Sequence, residues 1–170
     1  MGKERKKFYG IVLVLLLLGI VITVMNTRPE DSSIVQERTV DQYSDMFFTY
    51  TIVRYPAKTE ILAPTQITEN LTIGFNTGTS ELDFGRVEAG GSVKKWINLT
   101  TLDGRPSKIT VKSKGIIGPL LSFGRDDFLL NGGGSISVTM SATQPGNYTG
   151  EVSVFVQRSN YDLLRLFLGY

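Results

Sequence analysis

Two different hydrophobic patterns run along this chain, and the change from one to the other divides it. From Phe8 to Met25 there is no charge, and the stretch Leu13 to Leu18 is apolar on every face of a helix. At about 1.5 Å per residue such a helix spans roughly 27 Å, close to the hydrocarbon thickness of a bilayer. Beyond Met46 the period becomes two. Met46 to Tyr55 is rich in aromatic and β-branched residues and is expected to stop at Pro56. Leu71 to Phe75, Val93 to Thr100, Lys108 to Lys112, Ser135 to Ala142 and Thr149 to Gln157 each alternate as strands do. Gly90-Gly91, Asp103 to Pro106, Asn131 to Gly134 and Pro145-Gly146 supply the turn residues between them.

The alternation also assigns faces. Val93, Lys95, Ile97 and Leu99 share one side of their strand, opposite Lys94, Trp96, Asn98 and Thr100. Ile109 and Val111 oppose Thr110 and Lys112, while Ile136, Val138 and Met140 oppose Ser137, Thr139 and Ser141. Val152, Val154 and Val156 oppose Ser153, Phe155 and Gln157. Several half-buried antiparallel strands of this kind close around one core, as a sandwich or a barrel, and a two-sheet sandwich is expected here. The fold class expected is therefore mainly β: one N-terminal transmembrane helix followed by an antiparallel β-sandwich.

Lys3, Arg5, Lys6 and Lys7 precede the apolar stretch, and positive flanks stay cytoplasmic. The expected organisation is a basic cytoplasmic segment at 1–7, a transmembrane helix at 8–25 and a polar stalk at 26–45. An extracellular β domain at 46–158 and an apolar tail at 159–170 complete it. A cleaved export signal is the competing reading. The stretch is longer than an export signal needs, and Val24 to Arg28 holds no small-residue pair suited to cleavage, so a retained anchor in the cell membrane is preferred.

Charge changes the picture little once topology is set aside. The formal net charge is +2; without Lys3, Glu4, Arg5, Lys6 and Lys7 the chain keeps 14 basic and 15 acidic residues. Nucleic acid is excluded as an expected partner, because a phosphate backbone demands a concentrated basic excess. Cysteine and histidine are both absent. That removes the usual zinc sites, the Ser-His-Asp and Cys-His nucleophiles, and any imidazole switch. A large enough core does without disulfides, and their absence suits a prokaryotic, archaeal-type surface protein. No calcium loop, phosphate-binding loop or dinucleotide fingerprint occurs, and Asp126-Asp127 reads as a solvated turn. The expectation is a protein that is not an enzyme and takes no cofactor.

Leu82-Asp-Phe-Gly-Arg-Val-Glu-Ala-Gly-Gly-Ser-Val-Lys-Lys-Trp-Ile-Asn-Leu-Thr100 resembles the opening of hydin-like and major-sperm-protein-like immunoglobulin-type domains of prokaryotic surface proteins. Pro145 to Val156 is similar to their final hairpin. The resemblance covers about Leu82 to Arg158 and implies an Ig-like sandwich that mediates contacts; a fold by itself carries no activity. Phe84 is expected to fill the core at a strand end, with Gly85 allowing a bend.

Three sequons, at Asn70, Asn98 and Asn147, make those asparagines glycosylation candidates. Trp96 and Phe155 are expected on outward faces and are interaction candidates. The tail contributes Leu163, Leu164, Phe167 and Tyr170, which share a broad apolar helical face that must be covered by the domain, a partner or the lipid interface. The function expected is binding or scaffolding at the membrane, through neighbouring membrane or cell-surface proteins, a surface layer or a glycan. The alternatives are a polymerising pilin-like or archaellum-associated subunit, built as a homo-oligomer, and a non-catalytic subunit of a membrane enzyme complex.

Overall fold

The computed structural model describes residues 33–63, 80–101 and 105–160. The chain divides into two units, Met1–Ser33 and Ile34–Tyr170, and all described residues but Ser33 belong to the second. The apolar stretch 8–25, the strand expected at Leu71 to Phe75, Asn70 and the tail residues Leu163, Leu164, Phe167 and Tyr170 lie outside the described residues. Among the described residues no helix is long and apolar enough to cross a membrane.

The described residues are mainly β. Their strands are β1 (Thr39–Ser44), β2 (Phe48–Leu62), β3 (Leu82–Glu88), β4 (Ser92–Thr100), β5 (Ser107–Gly115), β6 (Leu121–Phe123), β7 (Asp127–Leu130), β8 (Gly133–Ser141) and β9 (Gly146–Ser159), with a 3-10 turn at Gly118–Leu120. One sheet has six strands in the order β1-β2-β9-β5-β7, with β3 also on β2; the other has three, β4-β8-β6. Both sheets send side chains into a single core. Ala57, Ile61, Leu82, Phe84, Ile109, Val111, Val152 and Val154 come from the larger sheet, and Ile97, Ile136, Val138 and Met140 from the smaller. Val138, Met140, Val152, Val154 and Ile109 are wholly buried. The alternations read for β4, β5, β8 and β9 thus point inward as expected.

Three features depart from the sequence reading. Pro56 does not end its strand: β2 runs on to Leu62. One edge of β2 is shared, β1 pairing with Thr49 to Arg54 and β3 with Ala57 to Leu62. Pro56 stands at the changeover, where its missing N–H leaves no ladder bond unmade.

Phe84, expected at a strand end, lies inside β3, and the bend allowed by Gly85 is a bulge within that strand. Ala57 pairs Leu82 and Lys58 pairs Asp83, but Glu60 pairs Arg86, so the register shifts by one residue around Gly85. Gly85 has φ +71°, a backbone that glycine adopts without strain. Its N–H donates to Asp83 Oδ1 (2.8 Å) and its carbonyl accepts from Thr59 Oγ1 (3.0 Å). The bulge changes the spacing of inward residues from two to three, which lets Leu82, Phe84 and Val87 all face the core. β3 is also parallel to β2, within a domain otherwise paired antiparallel.

β1 lies in the stretch 26–45 that reads as a stalk. It is an edge strand with mostly exposed side chains, Val40 being 55% exposed. Without a buried face it has no apolar alternation to read.

Candidate binding face

The outer face of the six-stranded sheet carries the least ordinary side chains. Antiparallel pairing sets residues of β1, β2, β9, β5 and β7 in rows across it. One row runs Tyr43, Tyr50, Gln157, Lys108; the next runs Asp41, Ile52, Phe155, Thr110, Asp127. Where residues lie directly opposite across strands, their side chains touch. Tyr43 stacks on Tyr50 with centroids 4.9 Å apart and planes at 22°, and Phe48 tilts against Tyr50 at 6.0 Å. These rows enclose an open groove of about 250 Å³, floored by Tyr50, Ile52 and Phe155.

Lys108, Thr110, Lys112 and Gln157 add polar groups to its lining, and ion pairs lie beside it. Lys112 Nζ stands 5.4 Å above the centre of the Phe155 ring, an attraction between a cation and the negative ring face. Asp127 accepts from Lys108 Nζ at 3.2 Å and from Thr110 Oγ1 at 3.4 Å. Asp41 pairs with Arg54 at 3.7 Å. Phe155 is therefore outward but half-buried, sharing its surroundings with two tyrosines. Tyr43 was not a candidate from the sequence, because β1 gives no pattern there; Tyr50 belongs to an aromatic run whose two faces only the pairing with β9 separates.

A second, wider groove of about 400 Å³ lies where β2, β3 and the start of β9 meet, lined by Lys58, Glu60, Asp83, Arg86, Asn147 and Tyr148 among others. Its charges are matched. Lys58 Nζ lies 3.0 Å from Glu81 and 3.4 Å from Asp83, and Arg86 Nε lies 2.7 Å from Glu60. The hydrogen bond to Glu81, helped by the Asp83 charge, holds the Lys58 ammonium above its usual pKa. Exposed pairs of this kind contribute little stability and leave little unmatched charge to attract a ligand.

Trp96 and Asn98 lie together on the outer face of β4, and Trp96 is 55% exposed. Asn147 is exposed at the start of β9. Trp96 stands on the smaller sheet and Phe155 on the larger, so the structure does not join them in one site.

Two ionisable groups are shielded from solvent: Glu151, which the sequence pattern does not single out, and the Nζ of Lys95, which the pattern places on the inward face of its strand. Glu151, on the outer face of β9, is only 3% exposed. Its carboxylate accepts from Ser153 Oγ (3.0 Å) and from the Val35 N–H (3.1 Å), so the segment before β1 covers it. Lys95 follows its strand's inward phase, opposite Val138. Its Nζ is shielded from solvent and has no hydrogen-bond partner among the described residues. Desolvation lowers its pKa, and the nearby carboxylates of Asp83 and Glu81 oppose that shift.

Among the described residues no group of three or more Asp or Glu side chains is placed to hold a metal ion. Compared with family models, curated proteins and solved structures, the chain matches none.

Proposed function

We propose that this chain is a single-pass membrane protein whose residues 8–25 form the anchor, with the N-terminus cytoplasmic and an Ig-like β domain outside the cell. It acts by binding a neighbouring membrane protein, as an accessory subunit of a cell-envelope assembly. The observation that carries the binding reading is the patch of Tyr43, Tyr50, Ile52 and Phe155, drawn from two adjacent rows on an open sheet face. Such residues offer large contact area at low entropic cost, and tyrosine-rich patches with a polar rim are typical of protein interfaces. The anchor raises the effective concentration of this face for partners in the same membrane, so modest affinity suffices.

The test is gentle detergent extraction of cells that express the full chain, followed by identification of stoichiometric co-purifying proteins. A discrete complex that Phe155→Ala or Tyr50→Ser dissolves, with the domain still folded, supports the reading. A protein that runs alone, or a complex indifferent to both substitutions, overturns it. Filaments in membrane extracts would replace it with the polymerising subunit.

A further inference from the structure

Trp96 is the only tryptophan in the chain, and it lies exposed on the outer face of its sheet. Large aromatics are mostly buried on average, and an uncovered indole is an exception that asks what covers it. The sheet itself offers nothing. On β4 the residues sharing its face are Lys94, Asn98 and Thr100, and the facing positions on β8 are Ser135, Ser137 and Thr139. Ser137 pairs directly with Trp96, and a serine is too short to shade an indole. β4 is also the edge strand of its sheet, so the approach from one side is open among the described residues.

Asn98, the acceptor of the sequon Asn98-Leu99-Thr100, is two residues further along the same strand, and both Asn98 and Thr100 are exposed. Residues i and i+2 of a strand share a face and lie roughly 6.7 Å apart. A pyranose attached to the Asn98 amide is therefore held within reach of the Trp96 ring, whose face accepts the axial C–H groups of a sugar. Leu99, between the acceptor and Thr100, turns inward against the core, which fixes the outward phase of both.

We propose that Asn98 carries an N-linked glycan whose first sugar stacks on Trp96. The step requires a membrane oligosaccharyltransferase and a lipid-linked oligosaccharide as donor. Asn98 Nδ2 attacks the anomeric carbon; the N–C1 bond forms as the C1–O bond to the lipid diphosphate breaks. The amide proton passes to a base of the transferase and the lipid diphosphate leaves. Asn147 lacks this geometry: Pro145 stands two residues before it, and its neighbour Tyr148 turns its hydroxyl to the Gln144 carbonyl at 3.1 Å. The inference rests on the extracellular placement proposed above.

The single tryptophan makes a site-specific reporter. The full chain, purified from membranes of its own cells, is weighed by intact and peptide mass spectrometry, and its fluorescence is quenched with acrylamide. Asn98→Gln and Thr100→Val should both remove the added mass from the peptide holding residue 98. Because a stacked sugar covers one of the two indole faces, both should roughly double the quenching constant. Asn147→Gln should leave the quenching unchanged. An unmodified Asn98 overturns the inference, and a modified Asn98 whose loss leaves quenching unchanged overturns the stacking. Protease added to intact cells separates the two levels. If the head is cleaved and Asn98 is bare, this inference alone fails; if the head is protected, the placement fails with it.

Discussion

Gly150 and Gly115 face each other where β9 crosses β5, and the two backbones approach more closely than any side chain permits. A methyl group built on Gly150 falls onto the carbonyl oxygen of Lys114 and within 2.8 Å of Cγ2 of Ile117. Ile117 is wholly buried, and its N–H donates to the Thr149 carbonyl at 3.1 Å. Neither obstacle can rotate away, since one is ladder backbone and the other is core. Gly150→Ala must therefore push β5 from β9, at a cost of about 3 kcal/mol, the upper end for overpacking. For a domain of roughly 120 residues the unfolding entropy is about 0.25 kcal/mol/K, so Tm should fall by about 12 °C. Gly90→Ala is the control. Gly90 has φ +89° with nothing within 4 Å of the added methyl, so only backbone strain of about 1 kcal/mol and a drop of about 4 °C are expected. Calorimetry of the detergent-solubilised full chain measures both. A Gly150→Ala variant within 3 °C or so of wild type, or two equal drops, would refute the close-approach reasoning.

Lys95→Met should stabilise the domain at pH 7 by up to about 1 kcal/mol, a gain kept small because the nearby Asp83 and Glu81 carboxylates partly offset the desolvation of the ammonium. Because burial lowers the folded-state pKa, the unfolded chain binds more protons between that value and 10.5, so wild-type stability rises with pH there. The advantage of the methionine should shrink through that window in urea titrations; an advantage that grows with pH would contradict the assignment. Glu151→Ala removes the acceptor of Val35 N–H and Ser153 Oγ, and should destabilise by about 1 to 3 kcal/mol. Hydrogen exchange at the Val35 amide should speed up in that variant, and unchanged protection there would mean that the segment is held by something else.

Strands with one strictly alternating buried face were legible. Ile136, Val138 and Met140 or Val152 and Val154 announce themselves because the pleat sends every second residue to the same side. β3 was not, because the bulge at Gly85 breaks the period inside a seven-residue strand. β1 was not, because an edge strand in solvent needs no apolar face. Pro56 misled for a related reason: the rule against proline in a ladder concerns its N–H, and only the pairing of β2 with two successive neighbours shows that this N–H would have had no partner. The candidate face was half legible. Phe155 and Trp96 could be assigned outward from phase alone, whereas the contact of Tyr43 with Tyr50, and the shielding of Glu151 by Val35, depend on long-range pairing that no local pattern encodes.

The claim on which the proposed role depends is that the β domain lies on the far side of the membrane from Lys3. The natural chain has no cysteine, so single cysteines report position without background. Thr143→Cys, on an exposed turn before β9, and Lys3→Cys are introduced separately, and intact cells are treated with a membrane-impermeant maleimide. Labelling at residue 143 on intact cells, with residue 3 labelled only after lysis, is the predicted result. The reverse pattern, or protection of both sites until lysis, would contradict the account.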